Sequence, residues 1–290
     1  MDPTLARKTW RTLEPIHGMI YFVPEARERY EKLGLQGERM GYFASRAAAM
    51  GPVPAEVVIA TFYNFSPELV RRSIPAAWDL AAPADILAAR LDAADAALRR
   101  GLGDLVASPE LGEASLLARR AAETASTMLS GRSLFAAHAA LPWPDEPHLV
   151  LWHAQTLLRE YRGDGHLTAL LEAQLDPVEA LITHMAVGDV NVRFLRASRS
   201  WDDDSWSSGV ERLRSRGLIE SQGDDPVFTD AGRELRQQIE DDTDRLSTPA
   251  YDGIGEHGCN RLRKLGRPVS VAVVDSGLLN VDPSRFLEGS

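Results

Sequence analysis

The chain has 290 residues, enough for one large or two modest domains with substantial cores. Its 44% apolar and 26% charged content is that of a folded globular protein and argues against disorder. A formal charge of -10 opposes general affinity for nucleic-acid backbones, whose non-specific binding is driven by counterion release at basic surfaces. No apolar run approaches the ~20 residues of a transmembrane helix. The start MDPTLARKTWRTLEP lacks the apolar centre of a signal peptide, so the expectation is a cytoplasmic protein without a membrane partner. A single cysteine, Cys259, leaves no internal disulfide and no thiolate metal cluster.

In chain order, EPIHGMIYF predicts a helix on which His17 and Tyr21, four residues apart, share a face. YFASRAAAMG follows with Tyr42 and Arg46, and TFYNF with Tyr63 and Asn64, with breaks at Gly51-Pro52 and Pro75. Residues 83–101 and 110–130 are rich in Ala, Leu, Arg and Glu, with apolar positions at helical spacing. Leu141-Pro-Trp-Pro144 reads as a stiff connector, because paired prolines exclude helix. VLWHAQTLL then places His153 on one face with Thr156 and Leu157. Next comes REYRGDGH, in which Gly163 and Gly165 predict a turn, with Asp164 capping a following helix and His166 in its first turn. Arg159 and Arg162 beside open helix N–H groups make an anion site. The plainer reading is a capped turn whose arginines pair with surface carboxylates. Asp176-Pro177 opens another helix bearing Glu179 and His184.

Laying Val53–Asp79 on Asp176–Asp202 without a gap matches Pro54, Glu56, Ile59, Trp78 and Asp79 with Pro177, Glu179, Ile182, Trp201 and Asp202. Chance similarity between amphipathic helices is the rival to an internal duplication. After the second window, residues 205–219 predict a helix ending at Gly217, residues 220–229 a short two-stranded wing, and Thr229 the cap of another helix. The order of RGL helix end, wing and T-x-x-G helix start resembles the end of a MarR-type winged helix, over about 200–245. Through HGMIYF, YFASRAAAMG, TFYNF, GRSLFAAHAALPWP and LWHAQTLLREYRGDGH the chain also resembles an actinobacterial family catalogued as MarR-like helix-turn-helix proteins. The expected fold is therefore mainly α, with two pseudo-repeated winged-helix-like halves and a small β-wing. Residues 1–140 form one half, 141–250 the other, and 251–290 a C-terminal tail.

Metal binding has little support, since HExxH, HxH and cysteine partners are all missing. A site assembled from separate helices, such as His17, His153 and Glu179, is the metal alternative, beside haem ligation by a lone histidine. No GxGxxG follows a strand and no GxxxxGK[ST] occurs, so no cofactor is expected. DNA is a partner only against the charge. Arg212, Arg214 and Arg216 favour it, whereas Asp202 to Asp204, Asp224-Asp225 and Asp241-Asp242 would repel phosphates.

An isolated buried histidine is more often a core residue than a ligand. Three of them near Tyr21, Tyr42, Arg46, Tyr63 and Asn64 suggest an internal polar pocket. The leading expectation is a cofactor-independent enzyme using acid–base chemistry (elimination, hydrolysis or intramolecular displacement) on a small anionic metabolite. The resemblance adds specialised metabolism as its setting. His17 or His153 would be the base, with Tyr21 and Glu179 orienting it. Arg159, Arg162 and His166 would hold the anion, and Arg46, Tyr42, Tyr63, Asn64 and His184 would line the site. The rivals are a ligand-responsive DNA-binding regulator of MarR type and a non-catalytic resistance protein. A second copy of the chain or a partner enzyme would complete the assembly.

Overall fold

The computed structural model describes residues 1–185, 198–222 and 225–279. Within them lie α1 (Pro3–Gly18), α2 (Pro24–Lys32), α3 (Gly37–Ala47), α4 (Ala55–Phe62), α5 (Pro67–Arg71), α6 (Ala76–Leu80) and α7 (Pro83–Leu102). These are followed by α8 (Pro109–Ala125), α9 (Ser133–Ala139), α10 (Pro147–Glu172), α11 (Pro177–Met185) and α12 (Asp203–Ser215). A strand pair, β1 (Ile219–Gln222) and β2 (Asp225–Phe228), then leads to α13 (Asp230–Ser247) and α14 (Gly255–Asp275). The protein is mainly α with a small β-wing, and among the described residues the strands belong to the second half alone.

Helix starts are marked chemically. Proline occupies the first turn of α1, α7, α8 and α10, where its missing N–H costs nothing. Asp2, Ser108, Asp202 and Thr229 cap their helices through side-chain oxygens. At α11 the cap is reciprocal. Asp176 Oδ1 accepts from the N–H groups of Val178 and Glu179, and Glu179 Oε2 accepts from Asp176 N at 2.9 Å.

The largest departure from expectation is α10. REYRGDGH is not a turn but the middle of one continuous 26-residue helix. Two glycines cost such a helix about 1 kcal/mol each relative to alanine. Burial of Leu157, Leu158, Tyr161, Ala169 and Leu170 on either side outweighs that. Gly165 is there for close approach: a Cβ would lie 2.9 Å from Arg132 Nη1 and 3.3 Å from Leu246 Cβ. Arg132 uses the space to donate to the carbonyls of Tyr161 and Leu246. Asp164 does cap a helix, but a different one, accepting from Phe135 N at 3.0 Å in the first turn of α9.

Apolar packing forms two cores. The larger takes residues from α1 to the middle of α10, ending at Tyr161, together with Ala250 to Leu279. The smaller runs from Ala169 to Ile239 and includes α11, α12 and the wing. The division falls inside α10 and not near residue 140. LPWP is an irregular connector as expected, but it links α9 to α10 within the larger body. Nor do residues 251–279 behave as a tail. Leu262, Leu265, Val269 and Val273 of α14 are buried, and Ser270 Oγ donates to Thr12 O of α1 at 2.6 Å. Residues 280–290 of the expected tail lie outside the described residues, as does Asp224 of the expected wing.

The two windows of the expected duplication both carry a helix after their proline, α4 and α11. Their matched tryptophans both bond to the N-terminal half. Trp78 Nε1 donates to Val53 O at 2.8 Å and Trp201 Nε1 to Asn64 O at 3.0 Å.

Candidate functional site

The polar residues of α1, α3 and α10 converge inside the larger core. His17 is fully buried, with Nδ1 2.9 Å from Thr156 Oγ1 and Nε2 2.8 Å from Tyr21 Oη. Thr156 spends its one proton on Trp152 O at 3.1 Å. His17 Nδ1 must therefore carry the hydrogen that Thr156 accepts, leaving Nε2 bare to accept from the Tyr21 hydroxyl. Burial, reinforced by Arg159, Arg90 and Arg46, holds the imidazole well below its ordinary pKa. His17 is thus a neutral acceptor that fixes Tyr21. Its environment makes it a poor store for an extra proton, contrary to the base role expected for it.

Around this pair sit the guanidiniums of Arg46 and Arg159. Arg46 lies 4.3 Å above the Phe62 ring and 5.5 and 5.8 Å from the Tyr42 and Tyr21 rings; Arg159 lies 5.7 Å from Tyr21. Arg46 Nη1 donates to Tyr42 Oη at 2.8 Å, and its Nη2 is 3.2 Å from both oxygens of Glu160. Arg159 donates to Glu160 at 3.0 Å and to Glu14 at 3.1 Å. Burial opposes the Glu160 charge, but Arg46 and Arg159 overcome it and bring the carboxyl down to about 2. Burial raises the Glu14 carboxyl, with Arg159 opposing.

The two half-buried tyrosines differ. Burial keeps the Tyr21 phenol above its ordinary value despite the arginines. For Tyr42 the order is reversed: burial is offset by Arg46, Arg159 and Arg199, and the phenol falls below the ordinary value. Of the two, Tyr42 is the better prepared to ionise.

A second buried network lies one to two turns further along α10. Arg162 Nη1 donates to Asp244 Oδ1 at 2.7 Å, its Nη2 lies 3.4 Å from Glu240 Oε2, and its guanidinium covers Trp10 at 4.7 Å. Arg7 Nε reaches the other Asp244 oxygen at 2.6 Å. His166 Nδ1 donates to Thr243 Oγ1 at 2.9 Å, since Thr243 gives its own proton to Ile239 O. Burial brings His166 down to about 4. Arg162 and His166 thus tie α10 to α13, and Arg159, Arg162 and His166 do not form the single anion clamp expected of one turn.

The remaining expected residues scatter. His153, buried and edge-on to Trp143 at 4.8 Å, lies beside Arg90 and is lowered to about 4 by burial and then by that charge. Glu179 caps α11 and meets Arg212 Nε at 3.2 Å and Arg216 at 3.6 Å in the smaller core, so neither ring nitrogen of His17 uses it. Tyr63 and Asn64 join the two cores: Tyr63 Oη donates to Leu175 O at 2.5 Å and Asn64 O accepts from Trp201. Tyr63 holds φ at 45°, in the left-handed region that disfavours a bulky side chain. Beside it an apolar groove of about 320 Å³ opens between Ile59, Phe65, Leu167, Leu171 and Trp201. His184 is exposed on α11. Among the described residues no cluster of three or more His, Cys, Asp or Glu side chains could hold a metal, and no helix is long and apolar enough to cross a membrane.

Sequence reasoning misses Glu160, Glu14, Arg90 and Arg199, because a charged residue reads as solvent-facing until the elements packed on it are known. The signal for Glu160 is its spacing: Thr156, Glu160 and Gly163 follow at helical intervals once the glycines are allowed to stay in the helix.

In the smaller core, α11, α12 and the wing have the order of a winged helix. Ile219 pairs with Phe228 across the wing, Gly217 turns the chain with φ of 70°, and Thr229 caps α13. The arginines of α12 are held within the molecule. Arg212 pairs with Asp176 and Glu179, Arg214 with Glu211 at 2.9 Å, and Arg216 donates to the carbonyls of Gln174 and Ala173. Its first turn, the part of such a helix that enters the DNA groove, carries exposed Asp203 and Asp204 after Asp202.

Helix-turn-helix architecture is thus the class that this end of the fold defines. The chain belongs to a helix-turn-helix family whose model matches residues 6–280, nearly the whole length. No curated protein and no solved structure matches it.

Proposed function

We propose that this family member binds a small anionic metabolite at the polar cluster where α1, α3 and α10 converge, called the chamber below, and performs acid–base chemistry on it without a cofactor. Tyr42 exchanges the proton, and the Tyr21 hydroxyl, fixed by His17 and Thr156, is the hydrogen-bond donor beside it. The observation that carries this reading is the convergence of Arg46, Arg159 and Arg199 on a half-buried Tyr42 whose oxygen already accepts from Arg46. Arg46, Arg159 and Arg199 outnumber the carboxylates of Glu160 and Glu14 there, which suits an anion. Elimination, hydrolysis and intramolecular displacement all use such equipment.

The test is a thermal-shift panel of small carboxylates, sulfates and phosphate esters with wild type, Tyr42→Phe and Arg46→Met, followed by product analysis for every hit. A hit that binds Tyr42→Phe normally but turns over only with wild type supports the enzyme reading. Binding without turnover makes the protein a sequestering or resistance protein. If no anion binds, or all bind Arg46→Met equally, the chamber is structural.

The second reading is a ligand-responsive, DNA-binding regulator of MarR type acting as a dimer, and family membership favours it. Fluorescence anisotropy on duplex DNA at 50 and 200 mM salt decides. Specific binding that falls with salt and with ligand establishes the regulator. The acidic first turn of α12 and its internally paired arginines lead us to expect none.

A further inference from the structure

Arg90 is the most unusual charge in the molecule. It rises from the Ala-rich middle of α7 into the larger core, is 3% exposed, and has its guanidinium 5.0 Å from the Trp152 ring centroid. Arg46, Arg159 and Arg162 each meet a carboxylate. Among the described residues none lies within ion-pair reach of Arg90. An isolated buried cation is costly, by several kcal/mol even after relaxation, so the interior is built to have this charge compensated.

Which nitrogens are open narrows the choice. The two unpartnered buried atoms of Arg90 are Nε and Nη2. Those two N–H groups point the same way and form the side face of the guanidinium, which matches the two oxygens of a carboxylate. Trp152 Nε1, a donor only, and Gln155 Nε2 are buried and unpartnered as well. His138 Nε2 donates to Arg46 O at 3.2 Å, which leaves its buried Nδ1 as a bare acceptor. Both His138 and His153 are depressed by burial and then by the Arg90 charge, so they add no competing cation. His17 stands between this set and the tyrosines, its ring parallel to Trp152 at 6.4 Å and bonded to Tyr21 on its other side.

We propose that the side face of Arg90 is a carboxylate-binding site, with Trp152 Nε1 as a third donor, and that it takes the carboxylate of a small organic acid. This deepens the reading of the polar interior as a ligand site and rests on it. It moves the anchoring role from Arg159 and Arg162, whose donors are committed to carboxylates of the chain, to an arginine that sequence reasoning passes over.

The experiment is a thermal melt of the full chain at fixed ionic strength with sodium acetate, with acetamide as its uncharged isostere and with sodium chloride as a simple anion. Acetate at ten times its Kd should raise Tm by roughly 2–3 °C, acetamide and chloride by less than a third of that. Arg90→Met should abolish the acetate response. Should Arg90→Met fail to fold, Trp152→Phe, which removes the third donor together with the five-membered ring that carries it and keeps a six-membered aromatic ring, should weaken acetate by about tenfold in Kd. Equal shifts with acetate and acetamide, equal shifts with acetate and chloride, or an acetate response surviving in Arg90→Met each overturn the assignment. Tyr42→Phe, which touches none of these atoms, should keep the acetate response. Failure at Arg90 with anion binding still sensitive to Arg46→Met would leave the chamber reading standing without this anchor.

Discussion

Replacing Glu160 by glutamine removes the carboxylate shared by Arg46 and Arg159; it leaves the buried Arg46 without one, whereas Arg159, a quarter exposed, keeps Glu14. Each Glu160 oxygen is 3.2 Å from Arg46 Nη2, Oε1 is 3.0 Å from Arg159, and the side chain is 3% exposed. The carboxyl stands at about 2 instead of 4.5, a difference worth about 3 kcal/mol. Because the folded value is the lower one, this stability is fully present above pH 4.5 and is lost as pH falls from there toward 2. Breaking a buried pair adds the cost of uncompensated charge, so the expected penalty at pH 7 is about 3–5 kcal/mol. Urea denaturation followed by far-ultraviolet circular dichroism should show the midpoint dropping at an unchanged slope. Since the glutamine of Glu160→Gln cannot ionise, the gap to wild type should narrow by about 1.4 kcal/mol for each pH unit below 4.5 over which wild type remains folded. A penalty below about 1 kcal/mol at pH 7 would refute the view that this carboxylate holds the chamber together.

Gly163→Ala and Gly165→Ala should differ in sign. A Cβ at 163 meets only Glu160 Oε2 at 3.6 Å, so alanine should stabilise by about 0.5–1 kcal/mol; at 165 it strikes Arg132 and Leu246 and should cost about 1–3 kcal/mol by denaturant titration. Asp164→Asn tests the buried carboxyl that is pushed up to about 6, chiefly by burial. Its ionisation penalty is absent below pH 3.8 and grows as pH rises to 6, so the amide, which keeps an acceptor for Phe135 N, should be more stable than wild type by about 1–3 kcal/mol at pH 7.5 and by less at pH 5. His153 and His166, each lowered to about 4, and His138, lowered to about 3, bind fewer protons folded than unfolded. With His17, which burial also holds well below its ordinary value, their contribution to stability should therefore fall as pH drops from 6.5 toward 4, by up to about 5 kcal/mol per unit where all four act, and replacing His153 by Gln should flatten that slope by about a quarter.

What can be read from the sequence is local chemistry. Asp176-Pro177 with Glu179, Thr229 and Gly217, and the prolines of LPWP each act through their own backbone or that of near neighbours, and each does in the structure what its residue type dictates. The His17–Tyr21 pair is legible for the same reason, being one helical turn. Gly163-Asp-Gly165 misleads because its meaning is tertiary. Gly165 answers to Arg132 and Leu246, which arrive from 33 positions before it and 81 after. Arg90 and Glu160 are invisible for a related reason. Whether a lone charge in an Ala- and Leu-rich helix faces solvent or the interior depends on the neighbouring helices, and periodicity leaves that face undecided.

The continuity of α10 has a mechanical meaning. A helix of this length is a rod of roughly 39 Å, and its residues belong in turn to the chamber through Glu160, to α13 through Arg162 and His166, and to the smaller core through Ala169 and Leu170. With no hinge at the glycines, the segment that bears Glu160 and the base on which the wing and α12 are mounted are one continuous helix. The molecule carries its interior polar network and its helix-turn-helix end on one shaft.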